Sequence, residues 1–114
     1  MLLLYLAIAS STIREIKVTA YNVGVVAQND SSPCISANNE NICEAVANGE
    51  MVGAMNGVPF GTIVQTPWGG VRIVDRKNRR YDSSWLDVAY GKDKIKEARK
   101  FGVKKITSAV LPPT

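Results

Sequence analysis

A chain of 114 residues has room for one domain with one modest core and none for a second. Its formal net charge of +4 and pI near 9.2 suit work beside an anionic polymer, whether cell wall, nucleic acid or membrane surface. Histidine is absent, which excludes Ser-His-Asp and Cys-His catalysis and any zinc site that needs imidazole. Proton transfer then falls to the ten carboxylates, to lysine or to tyrosine.

Met1 to Ala9 is apolar and ends in Ala7-Ile8-Ala9, the small-x-small pattern of a secretory cleavage site. It is too short to span a bilayer as a helix, which takes roughly 20 residues. Segment 1–12 therefore reads as a signal remnant and linker ahead of one domain over 13–114, with a hydrophobic first strand as the alternative. Membrane contact is expected only through that signal. Cys34 and Cys43 form an even pair. In an oxidising compartment they can form a disulfide worth roughly 2–3 kcal/mol, and in the cytosol they are two small core residues. Two cysteines without histidine give no reason to expect a metal, and no cofactor is expected either.

Ile16, Val18 and Ala20 alternate with Glu15, Lys17 and Thr19, which predicts a strand with one wet side leading to Tyr21. Asn22 to Asn48 lacks periodicity and is rich in Asn, Ser and Gly, so it reads as a long loop. Asp30 lies in it as a turn initiator or a site residue. A strand is expected to end near Met55, with a tight turn at Asn56-Gly57 and another strand over Thr62 to Gln65. Pro67-Trp68-Gly69-Gly70 reads as a turn before the strand Val71 to Val74. Trp68 there is either a platform for a sugar ring or a cover for the end of the fold. Lys92 to Phe101 carries Ile95, Ala98 and Phe101 on one stripe, with Gly102 to end it, and is the one expected helix. Val103 to Leu111 returns as the closing strand before Pro112 and Pro113.

The centre of the chain is Val71 to Tyr90. Two apolar runs, Val71 to Val74 and Trp85 to Val88, each carry a carboxylate, Asp75 and Asp87. A carboxylate among strand formers is costly to bury unless paired or hydrogen-bonded, which makes both candidates for chemistry. The alternative is that Asp75 opens a turn and Asp87 faces solvent on an alternating strand.

Asp75-Arg76-Lys77-Asn78-Arg79-Arg80-Tyr81 resembles the Asp-Arg-Met-Asn-x-Arg-Tyr of a variant branch of the 3D domain, a cell-wall family named for three aspartates. Val18-Thr19-Ala20-Tyr21 is similar to the family's opening Val-Thr-Ala-Tyr, and Val58-Pro59-Phe60-Gly61-Thr62 to its Ile-Pro-Leu-Gly-Thr. Asp30-Ser31-Ser32-Pro33 and Ala98-Arg99-Lys100-Phe101-Gly102 are similar to further features of the branch. These patches run in the family's order from Lys17 to Leu111. The family's first aspartate has no counterpart, and Asn56 is the nearest polar residue.

The resemblance implies a mainly β fold, a small six-stranded double-psi β-barrel with one short helix before the last strand. It implies lytic transglycosylase-like cleavage of the MurNAc-GlcNAc bond of peptidoglycan, in a secreted or cell-envelope protein acting in wall turnover. Asp87 aligns with the aspartate that serves as acid and base, and Asp75 is its companion. Tyr21, Asp30, Asn56, Trp68, Arg76 and Asn78 are the expected substrate contacts, and a Cys34–Cys43 disulfide is expected. The alternative is a non-catalytic barrel that binds cell-wall polysaccharide. Glycan strands are the expected partner and a monomer the expected state. A nucleic-acid reading of the Arg76 to Arg80 cluster is set aside, since few aromatics are interleaved with it.

Overall fold

In the computed structural model the described residues are 12–25 and 33–113. They form β1 (Thr12–Asn22), α1 (Ile42–Ala47), β2 (Val52–Ala54), β3 (Ile63–Thr66), β4 (Gly69–Asp75), β5 (Trp85–Tyr90), α2 (Ile95–Phe101) and β6 (Lys104–Leu111). The strands close into a barrel in the order β1-β5-β2-β4-β3-β6. Pairs β1·β5 and β2·β4 are parallel, and the other four are antiparallel. Exchanging β1, β2, β3 for β4, β5, β6 leaves this ring of neighbours unchanged, and each parallel pair maps onto the other. Two interleaved three-strand halves of this kind make the double-psi barrel that the family resemblance implies.

Alternation along the strands fills the interior. Ile16 and Val18 of β1, Val64 of β3, Val71 and Ile73 of β4, Leu86 and Val88 of β5, and Val110 of β6 join Met55 and Val58 in one core cluster. Ala20, expected on the same face of β1, is only half-buried. Ile73 is wholly buried, and truncating such a residue to alanine costs about 2–5 kcal/mol. A second cluster lies outside the barrel wall, where Ile42 of α1 packs on Val23, Val52, Val74 and Ala89.

That second cluster corrects the reading of Asn22 to Asn48 as loop throughout, and with it the expectation of a single helix. Asn41 caps α1 by accepting the Glu44 N–H through its side chain, and a disulfide joins Cys43 to Cys34. Six residues are too few to display a helical period, so the cap and the cross-link define this helix rather than its apolar pattern. The second helix is as expected but starts later, at Ile95, with Ala98 buried and Gly102 at φ 66° ending it. Gly69 and Gly70, expected in a turn, belong to β4, and only Pro67-Trp68 turns the β3–β4 hairpin, where Thr66 faces Gly69.

Candidate active site

Asp87 sits between Leu86 and Val88, both members of the barrel core. The pleat therefore points its carboxylate to the outside of the wall. Asp75 reaches the same outer face by a different route. Gly53 pairs with Ile73, but Ala54 pairs with Asp75, so Val74 has no partner on β2. This β-bulge breaks the alternation that otherwise puts Asp75 on the inner face with Val71 and Ile73.

Ala54 also pairs with Asp87 on its other side, and Asp87 with Thr19. Asp75, Ala54, Asp87 and Thr19 thus form a row across four adjacent strands. The two aspartates stand two strand spacings apart, roughly 10 Å between Cα atoms. Closeness of the backbones underlies this row. A Cβ on Gly53 would come within 2.6 Å of the Asp87 carbonyl oxygen, so only glycine lets β2 and β5 approach as they do.

The two carboxylates are held differently. Asp87 Oδ1 accepts the Thr19 hydroxyl at 2.8 Å, and Oδ2 lies 3.2 Å from the Lys77 ammonium. The Lys77 side chain is 8% exposed and that of Asp87 20%, so this ion pair is largely withdrawn from water. Asp75 Oδ1 accepts the backbone N–H groups of Ala37 and Arg76, each at 2.9 Å, and Oδ2 accepts the Tyr21 hydroxyl at 3.4 Å. Asp75 is therefore an anchor for the 33–43 loop as well as a neighbour of Asp87. Tyr21 faces both acids: burial first, and then the charges of Asp75 and Asp87, push its hydroxyl far above the ordinary tyrosine value.

The remaining expected contacts are distributed unevenly. The Asn56 amide shapes the loop after β4, accepting the Lys77 N–H at 3.0 Å and donating to the carbonyls of Asn78 at 3.0 Å and Tyr81 at 2.9 Å. Asn78 turns the same loop by accepting the Arg80 N–H at 3.1 Å. Arg76 points to the neighbouring 55–60 segment, donating to the Met55 carbonyl at 2.8 Å with its guanidinium 3.9 Å from the Phe60 ring centroid. Trp68 stands beyond the opposite end of β4 from Asp75, about 20 Å along the strand, with its ring against Phe101 at 5.2 Å. Asp30 and residues 1–11 lie outside the described residues.

Lys77 and Thr19, the two side chains that touch Asp87, were not among the candidates read from the sequence. A signal for each is present. Lys77 stands where the resembling motif has an apolar Met, and Thr19 is on the wet side of β1 within the Val-Thr-Ala-Tyr patch. No cluster of three or more metal-binding side chains occurs among the described residues. A concavity of about 630 Å³ beside the disulfide, lined by Val23, Cys43, Val46 and Lys92 among others, lies past the C-terminal end of β5, away from the aspartates. The row across the barrel wall holds the acid–base groups that the concavity's lining lacks as a set, and chemistry decides between them. The chain matches no family model, no curated protein and no solved structure.

Proposed function

We propose that this protein cleaves the glycan of peptidoglycan in the manner of a lytic transglycosylase, with Asp87 as the acid and base. The observation that carries the reading is the row Asp75, Ala54, Asp87, Thr19, which sets two carboxylates on one outer face of the barrel, two strand spacings apart.

An ordinary glycosidase needs one carboxyl group as acid and a second as nucleophile or base. In the lytic reaction the sugar's own 6-hydroxyl is the nucleophile, so the attacking group is already in place and one carboxyl group suffices. The leaving oxygen takes a proton as the C1–O bond breaks. The 6-oxygen then bonds to C1 and gives its proton to the Asp87 carboxylate, leaving an anhydro sugar. Thr19 holds one oxygen of Asp87 and Lys77 the other. Oδ2 of Asp87 relays the first proton from Lys77 to the leaving oxygen, and the proton that Asp87 later takes from the 6-hydroxyl returns to Lys77, which restores the pair. Asp75, fixed by two N–H groups, keeps Tyr21 and the 33–43 loop in position.

The second reading, a barrel that binds wall polysaccharide without cutting it, draws on one specific observation: the Asp87 carboxylate already has an ammonium partner. Incubating purified sacculi with the protein and with Asp87→Asn separates the two. Cleavage predicts soluble anhydromuropeptides that disappear with the substitution. Binding alone predicts co-sedimentation with sacculi and no soluble product from either protein.

A further inference from the structure

Trp85 precedes Asp87 by two residues on the same outer face of β5, about 7 Å along the strand. Its partner across the parallel ladder is Lys17, whose ammonium lies 4.9 Å from the indole centroid. Tyr81 meets the same indole nearly edge-on, with centroids 5.4 Å apart and planes at 67°. The Tyr81 ring in turn carries Lys77 at 4.5 Å and Arg80 at 5.0 Å, and Lys77 pairs with Asp87. A continuous track of rings and cations therefore leads away from the carboxylate.

We propose that Trp85, Tyr81, Lys17 and Arg80 form a binding subsite beside Asp87 for a sugar ring that bears a carboxylate. The proposal rests on the glycan reading above and names the part of the glycan that this end of the site takes. Aromatic faces match the C–H face of a pyranose. Core packing does not account for Trp85, which belongs to neither apolar cluster and is only half-buried. The cations supply the charge complement. Lys77 is committed to Asp87, which leaves Lys17 and Arg80 for a ligand. The loop's own carboxylate, Asp82, takes its hydrogen bonds from Ser84, and these are the first cause that holds it below the usual range. The cation–π contact of Lys17 on Trp85, with both side chains only half-buried, is weak enough to exchange. A ring settling on Trp85 displaces Lys17 to the rim, where the ammonium meets the carboxylate of the sugar.

The test uses Trp68→Phe protein, in which Trp85 is the only indole of the two in the chain. The N-acetylglucosamine–N-acetylmuramic acid disaccharide and neutral chitobiose are each titrated against its fluorescence. The acidic disaccharide is expected to shift Trp85 emission to the blue and to bind about tenfold tighter than chitobiose. Lys17→Ala is expected to bring the two within about twofold without unfolding the barrel, since Lys17 is not a core residue. Equal binding of both sugars, or unchanged Trp85 emission at saturation of sacculus binding, overturns the proposal. The result is separable from the cleavage reading. A Trp85 response without glycan cleavage keeps the subsite and removes the catalysis, and cleavage without a Trp85 response does the reverse.

Discussion

Lys77 places its ammonium 3.2 Å from the Asp87 carboxylate, and its own side chain is the more deeply buried of the two. The adjacent arginines of the loop, by contrast, turn outward: Arg79 and Arg80 are exposed, and Arg76 lies over Phe60. A cation so far withdrawn from water is costly without its partner. Lys77→Met is expected to destabilise the fold by about 1–3 kcal/mol, less than a fully buried pair because water still reaches Asp87. Urea unfolding of Lys77→Met, Asp87→Asn and the double variant closes the cycle. A coupling near zero would mean that the pair contributes nothing to the fold.

The Tyr21 hydroxyl ionises at far higher pH in the folded chain than its ordinary value of 10.0. Above pH 10 the unfolded chain therefore releases a proton that the folded chain keeps. Stability is fully present below pH 10 and falls as pH rises, by up to about 1.4 kcal/mol per unit from this group. Tyr21→Phe is expected to flatten that fall between pH 10 and 11 in urea titrations. An unchanged slope would count against the burial of the hydroxyl between the two acids.

Gly53 lies where the β2 and β5 backbones come closest, with no space for a side chain before the Asp87 carbonyl. Gly53→Ala is expected to cost roughly 1–3 kcal/mol and to move Asp87 out of line with Ala54. Denaturant midpoints measure the first effect. The second is read from loss of Asp87-dependent glycan release at temperatures where the variant is still folded.

The Cys34–Cys43 bridge closes the segment that carries Ala37, whose N–H holds Asp75. Reduction, or replacing both cysteines by serine, is expected to lower stability by roughly 2–3 kcal/mol, as for a short closed loop. Amide exchange at Ala37 is expected to accelerate by more than the global loss explains. Uniform acceleration across the barrel would show that the bridge has no special hold on Asp75.

Much of the barrel was legible because alternation is a two-residue signal and survives in short strands. Ile16 and Val18 read as sharing one face of a strand and Val71 to Val74 and Trp85 to Val88 as apolar runs, and Ile16, Val18, Val71, Ile73, Leu86 and Val88 are all buried. The site was legible only as residue types. Nothing in Val71 to Asp75 marks the bulge at Val74, because a bulge is a mismatch with a partner strand and β2 lies some twenty residues upstream. Without it, Asp75 falls on the inner face. Asn56, Arg76 and Asn78 were polar and near the motif, but hydrogen bonds decide their work: Asn56 ties down the loop after β4 from afar, Asn78 turns that loop locally, and Arg76 reaches the Met55 carbonyl. Trp68 reads on type alone as either a sugar platform or a cover for the end of the fold, and hairpin geometry puts it at the far end of β4 against Phe101 and leaves Trp85 beside Asp87.

The most direct measurement is mass spectrometry of soluble material from purified sacculi treated with the protein. Anhydro-ended muropeptides are expected from the unsubstituted chain, with a fall of at least about a hundredfold for Asp87→Asn, the scale of losing a general acid–base group. Asp87→Asn protein that unfolds normally and still releases them at the original rate would contradict the account.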